Sequence, residues 1–148
     1  IEVRATGSAI RLIGDGDIAG VIHTTNPEDT GIDIYMGIGG APEGVLAAAA
    51  LRCIGGQMQG RLVTNKDEQR ERAERMGVTD INKKYSMEEM ASGDVYFAAT
   101  GVTDGNLLQG VRFGRNSITT HTVVMRSSTK TVRWIKAEHA NFEKFKLD

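Results

Sequence analysis

"IDIYMGIGGAPEGVLAAAALRCI", residues 32–54, joins a run that reads as a β-strand to a run that reads as a helix, through four glycines. Ile32–Met36 is short, apolar and rich in β-branched and aromatic residues, as strands are. Val45–Ile54 is dominated by alanine and leucine, the better helix formers, and Gly55-Gly56 stops it. Pro42 suits the first helical turn because its missing N–H would be unpaired there anyway. Glu43 beside it has two readings. A carboxylate at a helix N-terminus gains about 0.3–1 kcal/mol from the helix dipole, which is a sufficient structural reason for it. Alternatively, Gly39 and Gly40 turn bare N–H groups toward a phosphate while Glu43 reaches for a metal bridging that phosphate. A hard cation wants about six oxygens, so Glu43 alone cannot hold one and the other ligands must come from elsewhere.

Working outward, strand and helix patterns alternate. Ala9–Ile13 reads as a strand ending in Gly14-Asp15-Gly16-Asp17, and Ile18–Thr24 as a short helix begun by Asp17. Residues 26–31 form a loop by their turn residues. Gln57–Val63 reads as a strand. Residues 65–76 read as a helix polar almost all round, capped by Asn65 and supported by the pairs Glu68–Arg72 and Glu71–Arg75. Ser86 and Glu89 have capping-box spacing, and Asp94–Ala99 is an apolar strand. After Gly110 the style changes to β-branched runs at Val111–Phe113, Ile118–Arg126 and Thr131–Lys136, which read as antiparallel ribbon; His139–Phe145 is expected to end in a helical turn. The expectation is a single α/β domain over 1–148: a mostly parallel sheet flanked by helices, with an antiparallel hairpin extension.

With 148 residues the chain can bury a core, and 18 glycines sit mostly at the ends of apolar runs, as tight connections require. A net charge of −1 gives no support for nucleic-acid or membrane binding. A single cysteine, Cys53, excludes an internal disulfide and reads as a small core residue. No apolar run reaches the ~20 residues of a membrane span, and no signal pattern opens the sequence, so a cytoplasmic protein is the default expectation. The first residue is Ile, and 1–6 read as a helix end closed by Gly7, too short to form alone. That start is expected of a piece of something longer.

In sheets of the expected kind, ligands gather at the carboxyl ends of the strands. Three loops would leave strands there: 14–17, 37–44 and 99–105. Asp15 and Asp17 either bind sugar hydroxyls or a cation, or make a turn and a helix cap; sequence leaves both open. Thr100, Thr103 and Asp104 would line the same crevice, although a Thr/Asp/Gly turn after a strand is common. His121 shares a strand face with Val123 and Met125, which favours a packed imidazole; His23 is likewise a lone histidine. Arg126, Lys130, Arg133 and Lys136 form a basic ribbon of the kind that also protects edge strands. A dinucleotide fingerprint fails because Pro42 stands where Gly or Ala is needed, and no Walker-A lysine motif occurs.

"RLIGDGD" (11–17), "GIGGAPEGVLAAAALRCIGGQMQGRL" (37–62) and "FAATGVTDGNLLQGV" (97–111) resemble the class II, GlpX-type bacterial fructose-1,6-bisphosphatases over essentially the whole chain. The resemblance implies the carboxyl-terminal half of a two-domain enzyme in the fructose bisphosphatase and inositol monophosphatase sugar-phosphatase fold. It implies hydrolysis of the 1-phosphate of fructose 1,6-bisphosphate in gluconeogenesis, with Mn²⁺ or Mg²⁺ as cofactor; some members also act on sedoheptulose 1,7-bisphosphate. By the same resemblance Glu43 is a metal ligand, and Asp15, Gly16, Asp17 and Gly40 contact substrate; Gly39 is read from the glycine turn itself as lining the crevice. The family's other metal carboxylates, its DGTT motif with the catalytic threonine and its substrate-binding arginines would lie upstream. Inactivity of this piece alone is therefore expected, with the amino-terminal half as its partner and a homo-oligomer as the assembly. The alternative is a stand-alone domain that binds sugar phosphates without hydrolysing them.

Overall fold

The computed structural model describes residues 2–141. In chain order these form α1 (Glu2–Ala5), α2 (Asp17–His23), α3 (Pro27–Thr30), α4 (Ala41–Ile54), β1 (Gln59–Gly60), α5 (Asp67–Arg75), β2 (Tyr85–Ser86), α6 (Met87–Met90), β3 (Tyr96–Thr100), β4 (Arg112–Phe113), β5 (Ile118–Arg126) and β6 (Thr131–His139). The helical turn expected at His139–Phe145 begins inside β6, residues 140 and 141 are not helical, and 142–145 lie outside the described residues.

The sheet is antiparallel, not mostly parallel. β5 is its centre: β6 pairs along all nine of its residues on one edge, while β3 (against 122–126) and β4 (against 118–119) share the other. β1 and β2 make a separate antiparallel pair. The parallel reading needed ladders at Ala9–Ile13 and Ile32–Met36. Among the described residues neither segment pairs with anything, and Gln57–Val63 contributes only two strand residues. What closes instead is the β-branched carboxyl-terminal ribbon, whose hairpin loop at 127–130 is short enough only for antiparallel neighbours.

Alternation along β5 divides the sheet into two faces. Val123 and Met125 point into the core with Phe97 from β3, and meet Ala50 and Cys53 of α4 and Ile22 of α2. The register puts Tyr96, Phe113 and Ile135 on the opposite face, where each is exposed. α4 is the central helix because its apolar residues go all round from Ala47 to Cys53. Ala47 and Leu51 pack with Val21 and Tyr35, whereas Ala48 and Ala49 pack toward Met87 and Met90 of α6. Alanine on three sides lets several elements approach one axis closely.

Local chemistry sets the ends of the elements. Ser86 and Glu89 close the expected capping box at α6, with bonds of 3.2 and 2.9 Å. α5 is capped by Lys66 rather than Asn65: the Lys66 N–H donates to Gln69 Oε1. Neither Glu68–Arg72 nor Glu71–Arg75 is among the ion pairs of the described residues. Asp94 fastens the start of β3 to the end of β5, accepting from Arg126 at 2.8 Å, Ser127 Oγ at 3.1 Å and Ser128 Oγ at 3.3 Å. The Arg126 bond holds its carboxyl down at about 2.

Candidate functional site

The glycine bend at 37–40 is a place of close approach, not of unusual backbone: Gly40 precedes α4 in an extended conformation at φ −68°. Side chains crowd its outer surface. A Cβ on Gly37 would stand 2.6 Å from Tyr35 Oη. One on Gly39 would stand 3.0 Å from Asp17 Oδ2 and 3.2 Å from Glu43 Oε2. Two carboxylates from different elements therefore converge on the open flank of one glycine.

Glu43 stands in the first turn of α4, as the structural reading of it expects. Its Oε2 accepts the Gly40 N–H at 2.8 Å, the reciprocal half of a capping box, so Gly40 does not present a bare amide. The Gly39 N–H has no hydrogen-bond partner among the described residues. The same Glu43 oxygen faces Asp17 across Gly39, in an exposed position.

Asp17 is the first residue of α2 but does not cap it. Gly16, in the left-handed region at φ +74°, occupies the cap position and makes no side-chain bond. The carboxylate is released from helix duty and reaches the bend. Tyr35 joins this group, a residue the sequence reading passed over. Burial pushes its phenol up, followed by the neighbouring Asp17 carboxylate and then the charge of Glu43. Its ring closes over Gly20, where a Cβ would lie 3.0 Å away. The available signal was alternation: Tyr35 is the one large residue pointing inward between exposed Ile34 and Met36.

A second arm of the site is an open cleft of about 420 Å³ lined by Asp15, Gly16, Ala19, Thr103, Asp104 and Leu108, among others. The 14–17 loop thus borders both the cleft and the bend, and the 99–105 loop borders only the cleft. Asp104 is heavily tied: Arg112 donates to both its oxygens at 2.7 Å, and the Gly110 N–H donates at 2.9 Å. Those bonds, Arg112 first, hold its carboxyl below the usual range. Thr100 does not line the cleft; its hydroxyl pairs with Thr122 across the sheet at 2.8 Å. Gly101 sets the loop's path, since a Cβ there would fall 2.1 Å from the Gln109 carbonyl oxygen.

The remaining candidates have structural occupations. His121 Nδ1 accepts the Gln109 N–H at 3.1 Å, and its ring lies tilted against Trp134. Cys53 is buried, and burial raises its thiol. In the basic ribbon, Arg126 pairs with Asp94 and lies over the Tyr96 ring, and Lys130 Nζ donates to the Arg52 carbonyl at 2.6 Å near the end of α4.

As a cation site the arrangement has the right donor chemistry and too few donors. Carboxylate oxygens suit a hard divalent ion. Yet no group of three or more His, Cys, Asp or Glu side chains stands ready to hold a metal among the described residues. Glu43 could contribute one ligand, with Asp17 beside it.

The model of the family described as "bacterial fructose-1,6-bisphosphatase, glpX-encoded" matches residues 1–139. Curated relatives from Synechococcus sp. (strain JA-3-3Ab) and Gloeobacter violaceus (strain ATCC 29082 / PCC 7421) are each 42% identical over 151 residues. Both carry the name D-fructose 1,6-bisphosphatase class 2/sedoheptulose 1,7-bisphosphatase. The match covers 93% of this chain and 43% of theirs, so the chain spans less than half the length of these relatives. With a match over nearly every residue, the chain belongs to the glpX-encoded bacterial fructose-1,6-bisphosphatase family.

Proposed function

We propose that this chain provides the sugar-binding face and one metal ligand of a sugar-bisphosphate phosphatase. In this reading the enzyme removes the 1-phosphate of fructose 1,6-bisphosphate, a step of gluconeogenesis, and works with Mn²⁺ or Mg²⁺. The observation that carries the reading is the convergence of Asp17 Oδ2 and Glu43 Oε2 on the bare flank of Gly39. The relatives' printed names supply the substrate class.

Glu43 holds one coordination position and is itself held by the Gly40 N–H, which fixes its carboxylate at the mouth of α4. Glu43 would hold a divalent cation together with ligands from outside this chain, and the ion would supply neutralisation of the phosphoryl charge and a lowered pKa for attacking water. The Gly39 N–H faces substrate without a competing partner, and its missing side chain lets the phosphate end approach the backbone. Asp15 and Asp17 accept hydrogen bonds from sugar hydroxyls and so decide which phosphate reaches the metal. Little more than such positioning and charge neutralisation is needed for phosphoryl transfer. The other ligands and the catalytic threonine come from the amino-terminal part of the enzyme, and this chain alone releases no phosphate.

The test is phosphate release by the full-length protein from fructose 1,6-bisphosphate and sedoheptulose 1,7-bisphosphate, with Mn²⁺, with Mg²⁺ and after chelation. Metal-dependent release from either sugar supports the reading. Tight binding of both with no release under either metal contradicts it and favours a sugar-phosphate-binding domain.

A further inference from the structure

Two stretches of this chain have the side-chain pattern of strands and none of the pairing. Residues 9–13 and 33–39 make no backbone–backbone hydrogen bonds among the described residues. Their outward side chains are large and apolar: Leu12 is 84% exposed, Ile34 66%, Met36 69% and Ile38 83%. Ile34, Met36 and Ile38 alternate with Tyr35, which packs inward on Val21, Ala47 and Leu51, so the second stretch is a half-buried strand lacking a neighbour. The two stretches are close together. Ile13 Cδ1 and Tyr35 Cε2 both lie about 3 Å from the position a Cβ on Gly20 would take, so they flank the same point of α2. Unpaired edges with exposed apolar residues are what natural proteins avoid unless something covers them.

The curated relatives supply an occupant: more than half of their length has no counterpart in this chain. We infer that residues 9–13 and 33–39 are the docking edge for that remaining polypeptide, which adds strands to them by main-chain hydrogen bonding and covers Leu12, Ile34, Met36 and Ile38. Strand addition suits the chemistry present: free N–H and C=O groups give the affinity, and alternate apolar side chains give the register. The placement has a functional corollary. Each stretch runs directly into a site loop, the first into Gly14–Asp17 and the second into Gly39–Glu43. A strand docked here therefore ends beside Asp17 and Glu43, where further cation ligands are required. The inference rests on the family assignment and not on hydrolysis.

Hydrogen–deuterium exchange tests it without reading catalysis. In the isolated 148-residue chain the amides of 33–39 should exchange rapidly while those of β5 are protected. In the full-length Synechococcus sp. (strain JA-3-3Ab) relative, the amides matching 9–13 and 33–39 should exchange at least about tenfold more slowly than here. Leu12→Lys should leave the melting temperature of this chain unchanged, whereas lysine at the matching position of the full-length relative should lower it by about 5 °C. Equally rapid exchange in both proteins overturns the inference. So does protection in this chain that grows with its own concentration, which would assign the edge to a second copy, and so does a lysine substitution without effect in the full-length relative.

Discussion

Gly39 is the glycine on whose open flank Asp17 and Glu43 converge, and its proposed role separates from stability. Its backbone is not in the left-handed region, so alanine is conformationally acceptable there. The atoms a new Cβ would meet are the ends of Asp17 and Glu43, which can move aside. Gly39→Ala should therefore change stability by no more than about 0.5 kcal/mol while lowering kcat/KM of the full-length enzyme about tenfold or more. Thermal melting beside steady-state kinetics checks both halves. A large loss of stability with unaltered kinetics would make this glycine a packing residue. Gly101 is the contrast: backbone cannot retreat from a Cβ 2.1 Å away, and Gly101→Ala should cost about 1–3 kcal/mol wherever it is measured. Sequence singled out Asp15, Asp17, Gly39 and Glu43 as candidates because turn, cap and helix-start preferences are local. It left open what each carboxylate does, since a cap and a ligand use the same residue in the same place, and here Glu43 caps Gly40 while facing Asp17. Tyr35 escaped notice because its partners lie 18 and 8 residues away along the chain, at Asp17 and Glu43.

At the scale of elements, the Asp94 fastening of β3 to β5 gives a pH signature. The carboxyl is held at about 2, below its ordinary 3.8, chiefly by Arg126, so its contribution is full above the unfolded value and is lost as pH falls through the folded one. Asp94→Asn should lower the melting temperature near neutral pH and remove part of the acid-induced loss between about pH 4 and pH 2. Parallel melting curves for variant and parent across that range would contradict the assignment. α4 makes a second demand: Ala50 is fully buried between α4 and the sheet, so Ala50→Leu should destabilise by about 1–3 kcal/mol, read as a shifted urea midpoint. α4, α5, α6 and the hairpin of β5 and β6 were legible from periodicity, caps and β-branched runs. The parallel sheet was not, because composition marks a stretch as strand-like without naming its partner. Residues 9–13 and 32–36 are strand-like and unpaired, and only tertiary context decides that.

Over the whole molecule, the Gly39 bend, Asp17 and Glu43 are brought together on a chain that spans less than half the length of the curated relatives it matches. The bend, the freed Asp17 and Tyr35 are arranged by packing within the described residues, which hold no group of three or more His, Cys, Asp or Glu side chains ready for a cation. Among those residues no helix is long and apolar enough to cross a membrane. The geometry sets Glu43 at the mouth of α4, bonded to the Gly40 N–H and facing Asp17, and the proposed metal-ligand role rests on that placement. The most direct measurement is Mn²⁺-dependent phosphate release from fructose 1,6-bisphosphate by the full-length enzyme carrying Glu43→Gln, alongside its melting temperature. The carboxamide oxygen can still accept the Gly40 N–H, so the fold should persist with a change of less than about 1 kcal/mol. Turnover should fall by about 10²–10³-fold and recover little with excess metal. Turnover within a few-fold of the parent would contradict the account and leave Glu43 as a helix cap and nothing more.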